Sequence, residues 1–370
     1  MANNKPKSER LMSLDVLRGF DMFFIMGGQG IILGLCTLCP GWFSDVVKNQ
    51  MDHVQWNGFA FYDMIFPLFL FLAGVSFPFS LSKSRSKGLS ERKIYRQVIQ
   101  RGIVLVLLGF VYNGFFGLTF AELRYASVLG RIGLAWMFAA IIFMNVNTRW
   151  RIWITAGILL FYWALLGLFP APDISGYGRY TFEGNLVGYI DRLFLPGHLY
   201  DKTFDPEGIL STIPAICTAL LGMFAGELVK KEDKSGNNKA FMLAAIGTGL
   251  VVLGLIWNFG MPINKKLWSS SYVCFVGGLS FMLFALFYYI IDVRKFQKWV
   301  FFFSVIGMNS ITIYLGQRII NFNTIGNFFC RGLVESSPAI VQPLISSIFF
   351  VAASWLFLYF LYRQKVFLRV

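Results

Sequence analysis

Residues Met51 to Gly74 read MDHVQWNGFAFYDMIFPLFLFLAG. The second half is an apolar run of membrane-spanning character, yet it takes in a carboxylate, Asp63. One of the chain's 2 histidines, His53, stands just before that run. About 20 apolar residues in a helix match the hydrocarbon thickness of a bilayer, so this stretch decides the fold class. Runs of the same kind recur at roughly 13–36, 58–81, 98–118, 126–146, 152–170, 208–230, 240–259, 270–292, 300–320 and 339–362. The expectation is an all-α polytopic membrane protein of about ten transmembrane helices, with residues 1–370 forming a single transmembrane domain.

Composition agrees. The chain is 56% hydrophobic and only 14% charged, where soluble domains carry about 25% charged residues. A net charge of +14 invites a nucleic-acid reading, but the distribution of the charge argues against one. Counting Arg101 and Lys230 with the connections they border, 22 of the 33 Lys and Arg fall on one set of connections and ends, and 8 on the other. That asymmetry is the positive-inside bias, and it predicts that both termini are cytoplasmic. The basic connection KSRSKGLSERKIYRQ then faces cytosol and lipid headgroups, either as an orientation signal or as help in holding an anionic cytosolic cofactor. The basic N-terminal start and the apolar run after it resemble a signal peptide. Asp15, Arg18 and Asp21 interrupt that run and no small-residue cleavage site follows, so it is expected to be retained as the first span. An all-helical chain without a barrel's alternating strands points to an inner (cytoplasmic) membrane. The lipid bilayer is the partner this composition demands, and no nucleic acid is expected.

Outside the spans, the longest segment runs from Ala171 to Glu207, rich in Gly, Pro and aromatics. Loops this long are functional or disordered, and the aromatics and turns favour an ordered extracytoplasmic cover over residues 171–207. It ends in Asp205-Pro206-Glu207-Gly208, which reads as an orderly helix start with Asp205 as N-cap. Cys36 and Cys39 form CTLC at the outer end of the first span, either a redox pair or plain packing. Lys265 and Lys266, in NFGMPINKKLWSSSYV, lie on the sparsely basic face, either solvated or placed to hold an anionic group.

Charges within spans are costly and mark function. Asp15 and Arg18 are three apart and share a helix face, as a clamp between helices or a cofactor contact. A lone buried carboxylate such as Asp63 needs a partner, and His53, Arg124 and Arg131 are the candidates. Arg124 and Arg131 are seven apart, on one side of a helix if it begins early enough. An imidazole titrates near neutrality, so His53, or His198 in the long loop, suits proton abstraction from an amine or hydroxyl.

Taken in order, RLMSLDVLRGFDM, HVQWNGFAFYDMIFPLFLFLAG, LRYASVLGRIGL, HLYDKTFDPEGILSTI, MPINKKLWSSSYV and GMNSI resemble the heparan-α-glucosaminide N-acetyltransferase family, over nearly the whole chain. The resemblance implies a membrane-bound acetyltransferase that moves acetyl from cytosolic acetyl-CoA to the amine of a glucosamine-type sugar on the extracytoplasmic side. Acetyl-CoA is then the co-substrate, no metal is expected, and a homodimer is a possible assembly. The family's active-site histidine lies in H-x-x-W-N-G, which places it at His53, with Asp63 or Asn57 to orient the ring. The cofactor-binding expectation covers Asp15, Arg18, Gln29, Arg124, Arg131 and Lys265. The acceptor-binding expectation covers Trp56, His198, Glu207, Asn264, Trp268 and Asn309. Two positions depart from the family: Gln29 stands where the family has asparagine, and Gly316-Gln317 replaces a Gly-His pair. Direct attack and an acetyl-His53 intermediate are both open. An amino-sugar transporter of the inner membrane is the competing reading, since ten spans with intramembrane charges suit transport as well.

Overall fold

The computed structural model describes residues 11–368. The basic N-terminal residues Lys5, Lys7 and Arg10, on which part of the orientation argument rests, lie outside the described residues. Fifteen α-helices follow one another. They are α1 Met12–Phe23, α2 Gln29–Leu38, α3 Trp42–Gln50, α4 Ile65–Ser86, α5 Glu91–Tyr112, α6 Val128–Asn145, α7 Thr148–Leu168 and α8 Leu186–Phe194. After them come α9 Thr212–Lys230, α10 Gly236–Trp257, α11 Ser270–Phe287, α12 Val300–Met308, α13 Ser310–Ile319, α14 Phe322–Glu335 and α15 Gln342–Arg363. Among the described residues the only β-type pairing is an isolated bridge between Arg124 and Gly197.

Among the described residues, nine helical stretches are long and apolar enough to cross a membrane, and α12 with α13 makes a tenth if the pair, bent by 69°, counts as one span. The ten spans read from hydropathy coincide with these ten stretches. α4 and α9 are innermost, each with 72% of its apolar window buried, whereas α10 and α15 have 22% buried and face outward. The inner pair touches backbone to backbone: a methyl on Gly74 would strike the Ala219 carbonyl, and one on Gly222 the Phe71 carbonyl. Small residues are what allow such an approach, because lipid supplies no hydrophobic drive for helices to associate.

Two spans are broken. The first passes through a π-helical turn, Phe24–Gly28, where Gly27 takes φ 110°. The break lets α2 restart at Gln29, whose amide reaches the Met51 carbonyl at 2.5 Å. α12 ends at Asn309, and α13 leaves at the 69° bend. The helix start expected at Asp205 is corrected: α9 begins at Thr212, and the Asp205 side chain is committed elsewhere. The expectation that Arg124 and Arg131 share a helix face is corrected too, since α6 starts only at Val128.

Candidate active site

The loop before α4 and the loop between α10 and α11 zip together. The Gly58 backbone amide donates to the Ile263 carbonyl at 2.8 Å, and the Asn264 side-chain Nδ2 to Asn57 Oδ1 at 3.1 Å. Gly58 takes φ 114°, a left-handed conformation that a side chain would strain. The second loop is itself pinned. Asn264 Oδ1 accepts from the Leu267 amide at 2.8 Å, and Ser269 caps α11 by accepting from Tyr272 N at 3.3 Å. Asn264 and Ser269 are fully buried.

This pairing brings three side chains to one point. Asp63, 1% exposed, sits in the 3₁₀ turn Phe61–Met64 that leads into α4. Its Oδ2 accepts from the backbone amides of Ala60 at 3.1 Å and Val54 at 3.4 Å. Its Oδ1 lies 2.7 Å from His53 Nδ1 and 3.3 Å from Lys265 Nζ. Lys265 Nζ is also 3.0 Å from His53 Nδ1 and 3.4 Å from Nε2, near both ring nitrogens. The His53 side chain is 48% exposed and packs its ring against Tyr62 at 4.9 Å. With the carboxylate accepting at Nδ1, a neutral imidazole carries its proton there and its lone pair on Nε2, which faces Lys265 Nζ at 3.4 Å; this is the tautomer a general base needs. Burial pulls the Lys265 ammonium below the ordinary lysine range, and the neighbouring Asp63 carboxylate acts against that shift.

A second polar cluster anchors the long loop. Arg124 grips Asp205 through Nε at 2.7 Å and Nη2 at 2.6 Å, and its Nη2 also bonds Glu207. Those two carboxylates hold the Arg124 guanidinium above its ordinary range, against the effect of its burial. Lys266 reaches Asp201 at 3.0 Å and Arg192 reaches Asp173 at 2.8 Å, so residues 171–207 are tied down as an ordered cover. Asp191, fully buried, accepts from the Ile209 amide at 3.0 Å and the Asp205 amide at 3.2 Å. Burial raises its carboxyl to about 6, partly countered by those two amides.

Between the clusters lies Arg131, 2% exposed. It bonds the Ser211 hydroxyl and lies 4.9 Å over the Trp268 ring, while its Nε and Nη1 have no acceptor among the described residues. Trp268 holds φ 50°, and its indole N–H donates to Thr218 at 3.2 Å.

The structure therefore gathers His53, Asp63, Lys265, Asn57 and Asn264, with Trp268 and Arg131 close by. Asn57 does not orient the imidazole, since its carbonyl oxygen is taken by Asn264. Trp56 turns into the cover: its N–H donates to the Tyr180 carbonyl at 2.8 Å, and its ring packs on Phe182 and Phe204. Glu207 serves the Arg124 clamp, and His198 is exposed, joined to Leu123 through its backbone amide. Arg18 donates to Leu72 O at 3.2 Å and Ser76 Oγ at 2.7 Å. Those α4 residues lie nine and thirteen positions beyond Asp63, about 14–20 Å along a helix, so Arg18 and Asp15 belong to the opposite half of the bundle. Asn309 is remote as well, donating to the Val366 carbonyl at 3.3 Å. Cys36 and Cys39 are both free thiols. Sequence reasoning missed Tyr272, whose hydroxyl donates to the Asp63 carbonyl at 2.7 Å. Nothing local marks a tyrosine 209 residues away as a support for the site.

A family model described as a domain of unknown function, DUF5009, matches residues 10–119, the part that carries His53 and Asp63. Along almost its full length the chain is similar to two curated proteins named heparan-alpha-glucosaminide N-acetyltransferase. The Mus musculus protein is 29% identical over 428 residues, covering 99% of this chain and 61% of its own length. The Homo sapiens protein is 27% identical over 425 residues, covering 98% of this chain and 60% of its own. The chain thus spans about three fifths of the length of the curated relatives it matches.

Proposed function

We propose that this chain belongs with the heparan-alpha-glucosaminide N-acetyltransferases it is similar to and is a multi-pass membrane acetyltransferase that moves acetyl from acetyl-CoA to the amine of a glucosamine-type sugar. The observation that carries the reading is the 2.7 Å contact between His53 Nδ1 and buried Asp63, which holds a half-exposed ring with Nε2, 3.4 Å from Lys265 Nζ, as the nitrogen left for proton transfer. His53 Nε2 takes a proton from the sugar's ammonium, and the amine nitrogen attacks the thioester carbonyl carbon. A tetrahedral oxyanion forms. The carbon–sulfur bond then breaks, the departing thiolate takes the second proton from the nitrogen that attack left cationic, the neutral amide is released, and the imidazolium gives its proton to solvent.

Lys265 has one part in this scheme: its ammonium, 3.0 Å from the ring, is placed to donate to the oxyanion as it forms. Arg131 has two donors to spare for an anionic group of the acyl donor, which suits a phosphate- and thioester-bearing co-substrate. The long-loop face, where His53 lies, is read as extracytoplasmic, with both termini in the cytoplasm of a bacterial inner membrane. Residues 1–370 act as one domain, and the acyl donor enters from the basic cytoplasmic side.

The transport reading is the alternative. Purified protein in vesicles, given acetyl-CoA labelled in its acetyl group together with glucosamine, should yield labelled N-acetylglucosamine. Accumulation of unmodified glucosamine without dependence on acetyl-CoA would replace the acetyltransferase by a transporter. Acid-quenched protein incubated without the sugar separates direct attack from an acetyl-His53 intermediate, which would retain label on the histidine.

A further inference from the structure

Two grooves outside the catalytic cluster meet at a pair of tryptophans. The larger, of about 930 Å³, is an apolar channel between α7, α9, α10 and α11 on the membrane-facing side, lined by Leu160, Phe224, Leu250, Leu253 and Trp257 among others. The smaller, of about 740 Å³, lies at the long-loop face and is lined by Trp163, Tyr180, Thr181, Gly260 and Asn57. Trp163 of the outer groove and Trp257 of the inner one pack edge to face, with centroids 5.7 Å apart. Trp163 donates its N–H to the Gly260 carbonyl at 3.3 Å, but the Trp257 N–H is enclosed and has no acceptor among the described residues. At the far end of the outer groove, Asn57 bonds Asn264, next to the Lys265 that touches His53.

An apolar channel at bilayer depth thus abuts, at the Trp163–Trp257 pair and its indole donor, an aromatic groove that reaches the catalytic loop at Asn57. A free sugar needs no such channel. We infer that the acceptor is a lipid-linked amino sugar, its alkyl chain in the α7–α10 channel, a linker oxygen at the Trp257 N–H, and the sugar crossing the outer groove to His53. Trp163 and Tyr180 give that groove the aromatic faces that suit sugar rings. The inference rests on the acetyl-transfer reading and names the acceptor class for it.

The test compares methyl and dodecyl 2-amino-2-deoxyglucopyranosides as acceptors for the full chain in detergent, following thiol release from acetyl-CoA. The dodecyl compound partitions into micelles whatever the protein does, so the decisive quantity is how a channel-filling variant changes the ratio of the two kcat/KM values. Leu160→Trp with Leu253→Trp narrows the channel at positions that are 52% and 44% exposed, which spares the interior packing. The expected result is a dodecyl-to-methyl ratio lowered at least tenfold in this double variant and unchanged in Leu356→Trp, a lipid-facing control on α15. An unchanged ratio in the double variant overturns the inference while leaving acetyl transfer intact. If neither glucosaminide is acetylated by the unmodified protein, the acetyltransferase reading falls first and the acceptor assignment with it.

Discussion

The carboxylate of Asp63 lies 2.7 Å from Nδ1 of His53, although an irregular segment, residues 54–60, and the start of a 3₁₀ turn separate them in the chain. The contact sets the tautomer of the ring and so decides which nitrogen can work as a base. Asp63→Asn preserves shape but cannot accept in the same way from Nδ1–H, and it leaves Lys265 without its counter-ion. Acetyl transfer should fall by about 10²–10⁴-fold, the usual contribution of a positioned base. Steady-state thiol release, with thermal unfolding to confirm the fold, measures this. Near-normal turnover would mean that Asp63 is structural.

The Arg124 clamp on Asp205 and Glu207 holds the cover over the site. Lysine keeps the charge but not the planar fork, so Arg124→Lys should loosen residues 171–207. Charge-assisted hydrogen bonds contribute about 1.5–3 kcal/mol each, and most of one is at stake. Limited proteolysis should cut within the loop at least several-fold faster in the variant. An unchanged cleavage pattern would show that the cover is held by its aromatic packing instead.

Asp191 gives a pH dependence of stability. The folded protein keeps a proton on this buried carboxyl up to about pH 6, while an unfolded chain releases it near 3.8. Between those values the folded state binds more protons, so the group's contribution is full below 3.8 and is lost as pH rises through 6. About two units of difference correspond to on the order of 3 kcal/mol. The Tm advantage of the unmodified protein over Asp191→Asn, measured in detergent, should therefore be larger at pH 4 than at pH 7. A gap that is constant or grows toward neutral pH contradicts the assignment.

The crossing of α4 and α9 permits a direct packing test. A methyl at Gly222 meets the Phe71 carbonyl, which cannot step aside without moving a helix, whereas a methyl at Gly249 meets nothing within 4 Å. Gly222→Ala should cost about 1–3 kcal/mol, the range for overpacking, and lower Tm by several degrees. Gly249→Ala should leave Tm unchanged or slightly raised. Equal behaviour of the two variants would refute the close approach.

The ten spans were legible because hydropathy reports on lipid, and lipid acts alike on every span. The breaks were not. Gly27 and Asn309 interrupt their spans without a proline or a loss of hydropathy, so nothing in a window of residues announces them. α3 and α14, of 9 and 14 residues, are too short to register as spans and read as connections. At the site, His53 and Asp63 stood out as scarce or costly residue types, and Lys265 as a cation on the wrong face. Their convergence depends on the pairing of residues 57–58 with 263–264, a loop–loop contact with no periodic signature. The reading of Asp205 as a helix cap failed for the same reason: its partner Arg124 lies 81 residues away.

The central claim is that His53 is the base for acetyl transfer. The most direct test is thiol release from acetyl-CoA by purified protein with glucosamine as acceptor, comparing the unmodified chain with His53→Ala. The account predicts release that requires the sugar and that falls by about 10²–10⁴-fold in the variant. Equal release by the two proteins, or release that ignores the sugar, would contradict it.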